Sequence, residues 1–532
     1  MWCSMFFHLL VFWAGRVESA KILMSGVLGE GSHFTALVPI GRSLVQQGHS
    51  VTFLISEEYS YRARDPELSR LFEFEIFHYN DETLNANEFF RGFAQIGVEG
   101  SNGFIQLLQT YSIGRRVQVD MCESVLEDKA MMSRLATMDA IVFELPWPCS
   151  IFIKSYIERH LNAADVRMVL SSATAPVSTM FLMAGSPFNP AYQPASYTSY
   201  SSSMTFFQRM INSAYSLVLT SIMEFIMRNA YKQTVEKFDL HPNMASLSGS
   251  HEYIDLFLTN CDFATEFPFP LMPNVIAVGG LTARAAMPLE PELEDFMQSS
   301  GDHGVVVFSM GSYFASFTTH RQDLMKMILE ALSRMPQKVV MQIKDPTLYS
   351  LPENVKAMPW ISQNDLLGHP KTKAFLFHAG NNGYLEALYH GVPMVVIPIF
   401  GDHIDVTVRI LSRGLGLMIS KDNISADYLQ HQLQEVLANS SYDATAKRLS
   451  AIFRDRPLGP ADRAAFWIQH VIKHGGNYMR SPAHDLSFIQ YHLIDIGLFM
   501  LLMTCLAFYV PFLFLGRCFS HTSESQSKCK SD

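Results

Sequence analysis

The stretch Trp360–His403, WISQNDLLGHPKTKAFLFHAGNNGYLEALYHGVPMVVIPIFGDH, decides the fold. Ala374–Phe377 is a short apolar run of buried-strand type. His378–Gly383 (HAGNNG) follows as a polar turn. Asn382 is expected to cap a helix carried by Tyr384–Tyr389, which Gly391 and Pro393 end before a second strand. A helix start of this kind offers unpaired amides and a positive dipole end, where a diphosphate can sit.

Outward from this block, two βα series emerge. The first opens with the strand Lys21–Met24, a glycine-rich loop Gly26–Ser32 and a helix from about Phe34 to Gln47, and Ser50–Ile55 returns as a strand. Ala140–Phe143 and Met168–Leu170 are further strand candidates, so this half reads as an open parallel α/β sheet. Pro194–Ser203 (PASYTSYSSS) breaks the pattern. Behind it the apolar region Met204–Tyr231 is read in three ways: touching a membrane, covering a pocket, or forming a buried helix pair. Pro288–Glu294 is an acidic, proline-bearing linker. The second series has strands Val305–Ser309 and Lys338–Ile343, the opening block, and helices at Ala426–Ala438 and Ala461–His474.

At 532 residues the chain has room for two large domains, and its net charge of −10 leaves no basic surface for nucleic acid. Hydrophobic residues make up 48%, more than a soluble enzyme needs, and the two ends account for part of it. Met5–Ala14 followed by small residues reads as a signal peptide ending near Ala20. Ile496–Leu515 carries no charge over a length that crosses a bilayer. Asp495 precedes it and Arg517, Lys528 and Lys530 follow, which marks the tail as cytosolic and the bulk as luminal. Lys528 and Lys530 resemble a dilysine retrieval signal of the endoplasmic reticulum. Asn423 and Asn439 head glycosylation sequons. Cys122, Cys149 and Cys261 allow one disulfide at most, and no Cys/His cluster has metal-ligand spacing.

The block 360–403 resembles the signature of the UDP-glycosyltransferases, specifically the membrane-bound animal UDP-glucuronosyltransferase family, and weaker similarity runs over nearly the whole chain. The resemblance implies an α/β GT-B fold: two doubly wound Rossmann-like domains facing across a cleft, plus a C-terminal transmembrane helix. The expected boundaries are 1–20 signal peptide, 21–287 acceptor-binding domain, 288–485 UDP-sugar-binding domain, 494–515 transmembrane helix and 516–532 cytosolic tail. A UDP-sugar is the implied co-substrate, with no bound cofactor and no metal. The implied partners are a lipophilic small-molecule acceptor, the membrane, and homo- or hetero-oligomers with relatives.

The same resemblance assigns roles. His33 takes the place of the family's catalytic base, for which an imidazole is suited by a pKa near working pH. Glu144 stands where the family has an aspartate that fixes the histidine's tautomer, one methylene longer. His378, the amides of Asn381, Asn382 and Gly383, and the turn Ser309–Ser312 are expected to neutralise the leaving diphosphate. Trp360 matches the residue that stacks on uracil, with Gln363 at the usual spacing after it. Glu386 matches the carboxylate on the ribose hydroxyls, and Asp402 and His403 sit where the family holds the sugar.

Four positions depart from the family pattern. Phe377 replaces a threonine near the diphosphate, and Ala379 replaces a glycine, at a cost of about 1 kcal/mol or more if that glycine has positive φ. Phe269 stands where most relatives carry an arginine that meets the donor's anionic part. His403 replaces the common glutamine, as in the ceramide galactosyltransferase branch. The expectation is an inverting transferase moving glucuronic acid, or else glucose or galactose, to a hydroxyl of a lipophilic acceptor. The alternative is a catalytically weak or inactive member that binds lipophiles or partners with active relatives.

Overall fold

The structure is a computed structural model that describes residues 19–26, 31–81, 92, 95–97, 104–144, 149–163, 166–312, 314–315 and 317–528; the side chains of 104–114, 251 and 516–528 are outside that description. The signal-peptide reading falls outside the described residues except at its last two positions, and so does Lys530 of the tail. The chain divides into two compact units, Met1–Arg480 and Ser481–Asp532.

Within the first unit, β1 (Lys21–Ser25), β2 (Ser50–Ser56), β3 (Glu73–Phe77), β4 (Ala140–Glu144), β5 (Arg167–Ser172), β6 (Leu256–Thr259) and β7 (Val275–Ala277) form a parallel sheet in the order β3-β2-β1-β4-β5-β6-β7. Its helices include α1 (Gly31–Gln46), α2 (Phe104–Glu127), α3 (Cys149–His160) and α4 (Phe206–Ala230). A second parallel sheet runs β10-β9-β8-β11-β12-β13, from β8 (Val305–Ser309), β9 (Lys338–Gln342), β10 (Val355–Met358), β11 (Thr372–Phe377), β12 (Met394–Val396) and β13 (Gly416–Met418). With it go α5 (Asn381–His390) and α6 (His403–Ser412), while α7 (Pro460–His474) packs on the first sheet. The central strands read as unbroken apolar runs, VVVFS at β8 and AIVFE at β4, because helices cover both faces of each sheet.

In both sheets the strand order reverses beside the first strand of the series, between β1 and β4 and between β8 and β11. Open α/β sheets bind ligands outside the carboxyl ends of the strands at such reversal points, because neighbouring connections there lead to opposite faces and leave a crevice. The fold therefore offers one crevice per sheet.

Four local expectations change. Helix α1 begins at Gly31, so His33 lies in its first turn and not in a loop before it. Helix α5 begins at Asn381 with Gly380 as its cap residue and no side-chain cap bond. Asn382 cannot cap, because its Oδ1 accepts from Asn260 (2.8 Å) and its Nδ2 donates to the Ser32 carbonyl (3.1 Å). The region 204–231 is largely one 25-residue helix, α4, with much of its surface exposed, and not a buried pair. The segment 461–474, expected with the second half, is helix α7 and lies on the first sheet. Its Ala464, Ala465, Ile468 and Val471 join the core of Ile22, Phe34 and Val142, and Ser43 donates to Asp462 (2.7 Å).

In the second unit, α8 (Ile494–Lys528) contains the apolar stretch Ile494–Leu515, long enough to cross a membrane, with none of it buried.

Candidate active site

A cleft of about 1330 Å³ opens between the two sheets. His33 and all ten residues expected to hold the nucleotide sugar line it: Ser309, Ser312, Trp360, Gln363, His378, Asn382, Gly383, Glu386, Asp402 and His403. Glu144 does not line it. It stands behind His33 with a fully buried side chain.

On the first-half side, α1 follows β1 and carries His33, while Glu144 is the last residue of β4. The strand reversal thus brings together two residues 111 positions apart. His33 Nδ1 donates to Glu144 Oε2, and Glu144 Oε1 accepts from the Ala173 amide. Burial works against a charge on His33, but the Glu144 carboxylate, its hydrogen bond and Asp402 outweigh it and raise the imidazole above its ordinary value. With Nδ1–H given to Glu144, the basic lone pair of the neutral ring is on Nε2.

The second-half side repeats this plan. Ser309 ends β8 and His378 follows β11, again on either side of the reversal. Burial pushes the His378 imidazole down to about 4, against the pull of the Ser309 carbonyl, so the ring is neutral. Its buried Nδ1 finds no hydrogen-bond partner among the described residues, an orphan beside the start of α5. Gly311 and Gly380 clasp the ring: a Cβ on Gly311 would sit 2.6 Å from Cε1, and one on Gly380 only 2.3 Å from Nε2. Ser309 serves the turn, donating to Gln342 (2.7 Å) and accepting from the Gly311 amide (3.1 Å).

His403 accepts from the amides of Ile399 (3.3 Å) and Phe400 (3.2 Å) through Nδ1. Burial and neighbouring His378 keep its imidazole well below the ordinary range, so it is neutral and Nε2–H is its donor. Phe314 packs edge-on to it at 5.2 Å. Asp402 is held by the Ala175 amide (2.9 Å), and burial raises its carboxyl against that bond and His33. Glu386 accepts from Gln363 (2.7 Å), with burial again raising the carboxyl. Trp360 is 65% exposed at the rim and offers a bare ring face.

Two of the departures lie elsewhere than expected. Phe377 does not face the cleft; it is fully buried and stacked on Phe375 at 4.2 Å. Phe269 packs edge-on to Phe181 (4.9 Å) and Phe263 (5.2 Å) and is absent from the cleft wall. Ala379 takes φ 67°, the left-handed conformation that its replacement of glycine made costly.

Sequence reasoning missed the struts that join the halves. Asn381 Nδ2 donates to the carbonyls of Ala173 (3.0 Å) and Asn260 (2.9 Å). Asp405 accepts from the Tyr197 amide (3.0 Å), and Arg409 pairs with Glu266 (2.7 Å), both buried. The spacing of Asp402, Asp405 and Arg409 along one face of α6 is the signal that was available. Cys122 and Cys149 form the one disulfide that the sequence allowed, while Cys261 is free and buried.

The family model described as UDP-glucoronosyl and UDP-glucosyl transferase matches residues 20–529. The chain is 33% identical to mouse UDP-glucuronosyltransferase 1A6 over 95% of its length and 92% of the relative's. It is also 33% identical to human UDP-glucuronosyltransferase 2B7, over 94% of each. Among solved structures, a Polygonum tinctorium UDP-glucosyltransferase that glucosylates indoxyl superposes with a TM-score of 0.58 at 17% identity, covering 86% of this chain and 99% of its own. The spinosyn forosaminyltransferase SpnP gives 0.58 at 15%, covering 85% and 99%. These two bear on the fold, which is GT-B.

Proposed function

Since the chain belongs to the family of UDP-glucuronosyl and UDP-glucosyl transferases and is a UDP-glycosyltransferase, we propose that it transfers a neutral hexose from its UDP donor to a hydroxyl of a lipophilic acceptor, with inversion. The observation that carries this reading is the double reversal: His33 with Glu144 at one crevice and His378 at the start of α5 at the other, walls of one cleft.

The acceptor hydroxyl gives its proton to His33 Nε2 as its oxygen attacks the anomeric carbon. The bond from that carbon to the diphosphate oxygen breaks, and UDP leaves with the electron pair. Glu144 and Asp402 stabilise the imidazolium that forms. The first amides of α5, at the positive end of its dipole and beside the neutral His378 ring, meet the charge growing on the diphosphate. Trp360 takes the uracil face and Glu386 the ribose hydroxyls. Asp402 and the His403 donor hold the sugar.

A neutral sugar is favoured because, among the described residues, each arginine on the cleft wall already has a contact and no lysine lines it. Arg42 pairs with Glu67 and Arg284 with Asp365, Arg62 lies over Phe34, and Arg115 donates to the Asn229 carbonyl. A glucuronate carboxylate would have to draw Arg42 or Arg284 from its acidic partner, or compete with the ring and carbonyl contacts of Arg62 and Arg115. The first-half wall is apolar and rich in methionine, with Met183, Leu219, Met223, Met227 and Met244, which suits a lipophilic acceptor. We place the protein in the endoplasmic reticulum membrane, single-pass through α8 with both sheets luminal, and with oligomerisation among relatives.

Microsomes carrying the full chain would be given UDP-glucuronic acid, UDP-glucose, UDP-galactose or UDP-N-acetylglucosamine separately, with a mixed phenol, steroid and ceramide panel. The expected result is a hexose conjugate from UDP-glucose or UDP-galactose, detected by mass and lost in His33→Ala. A conjugate from UDP-glucuronic acid alone would overturn the sugar assignment. Equal product from His33→Ala would remove the base.

A further inference from the structure

Helix α4 has its polarity reversed. The side facing the molecule includes buried Asn212 and Ser216, whereas Phe207, Met210, Ile211, Leu217, Val218 and Phe225 are exposed, Phe207 and Phe225 to 68%. These six recur at helical spacing and make one uncharged apolar stripe, about 28 Å long at 1.5 Å per residue. A face of that size on a soluble surface marks a contact with something apolar.

The helix is pinned along its inner side and does not span. Asn212 Oδ1 accepts from the Ala195 amide (2.7 Å), and its Nδ2 donates to the carbonyls of Pro190 and Gln193 (2.8 Å each). Crossing a bilayer would break all three bonds. The stripe can only be covered from outside, by a surface that lies along it.

We propose that α4 lies flat in the interface of a lipid bilayer, with the Phe207–Phe225 stripe among the acyl chains. The chain itself supplies the reason to choose a bilayer over a soluble partner. Helix α8 is a membrane span by length and hydropathy, and the connector 481–493 reaches roughly 45 Å when fully extended. The first unit is therefore never far from lipid, and a tethered surface needs little intrinsic affinity to stay docked. The inner side of α4 places Leu219, Met223 and Met227 on the cleft wall, so one helix separates the cleft from the proposed lipid face. The docking does not rest on the transfer reaction, and its test reads no activity.

The full chain would be reconstituted into phosphatidylcholine vesicles doped with a phosphatidylcholine that carries a diazirine on its acyl chain, photolysed, and its adducts mapped by mass. Adducts are expected on the stripe residues as well as within 494–515, with Asn212, Ser216 and Leu219 unlabelled. Adducts confined to 494–515 would overturn the proposal. So would copy-to-copy cross-links through the stripe formed by a bifunctional cross-linker in the same vesicles, which would assign this face to a second chain. A Leu217→Ser/Val218→Ser/Phe225→Ser variant with an unchanged melting temperature should lose labelling of 205–230 at least five-fold and keep it at 494–515. Undiminished labelling there would equally refute the docking.

Discussion

His33 gives its Nδ1 proton to Glu144, and this contact sets the pH at which the base becomes available. The pKa is raised, so the imidazole stays protonated to higher pH than a free one and activity climbs as it deprotonates. Glu144→Gln removes the charge that raises it. The acid limb of kcat/KM against pH should move to lower pH, and kcat should fall roughly 100-fold or more because the tautomer is no longer fixed. An unmoved acid limb would exclude Glu144 from this role. Ala379 tests a second residue. Its φ of 67° costs about 1–2 kcal/mol, but its buried methyl returns about 0.8 kcal/mol. Ala379→Gly should therefore shift the melting temperature by no more than about 2 °C, whereas Ala379→Val, β-branched at positive φ, should lower it by several degrees.

Between elements, the disulfide joins α2 to the first residue of α3, just beyond the strand that ends in Glu144. Both sulfurs are buried in the core of the first sheet. Replacing both cysteines by alanine should cost about 2–4 kcal/mol, read as a lower midpoint of denaturant unfolding. No loss would mean that the bridge restrains little of the unfolded chain. The strand-to-helix steps at β1/α1 and β11/α5 do the rest of the positioning, since each ends a buried strand at the cleft and starts a helix there.

Across the whole molecule, the two sheets are held to each other by buried polar contacts. Arg409→Met would strand the Glu266 carboxylate, 4% exposed, without its partner and should cost roughly 3–5 kcal/mol; Glu266→Gln in the same chain should recover much of this. Independent, additive effects would show that the pair does not act as one. Asp405 makes the same junction sensitive to pH. Burial lifts its carboxyl to about 7, with Asp402 and Glu266 adding to the lift and Arg409 and the Tyr197 amide opposing it. Unfolded, it titrates near 3.9. The folded state thus keeps a proton that the unfolded state has lost, so this contribution is complete below about pH 4 and disappears as pH rises through about 7. Asp405→Asn still accepts from Tyr197 and cannot ionise. Its melting temperature should fall less than the wild type's between pH 5 and 8, and parallel curves would refute the assignment.

The sequence by itself determined what is local or covalent. Apolar runs of strand length, turns ending in Gly and Pro, and the spacing of the 360–403 block were enough for two parallel α/β halves, the apolar helix at 494–515, and residues that all prove to share one cleft or stand directly behind it. Ala379 was legible too, because a Cβ in the left-handed region is a local steric matter. Only the tertiary structure decided what crosses between distant segments. It turned Asn382 from a helix cap into a strut, moved helix α7 onto the first sheet, took Phe269 and Phe377 out of the site, and set Arg409 against Glu266. It also turned α4 inside out. Periodicity shows that a helix has faces, but which face is buried depends on what the rest of the chain brings up against it.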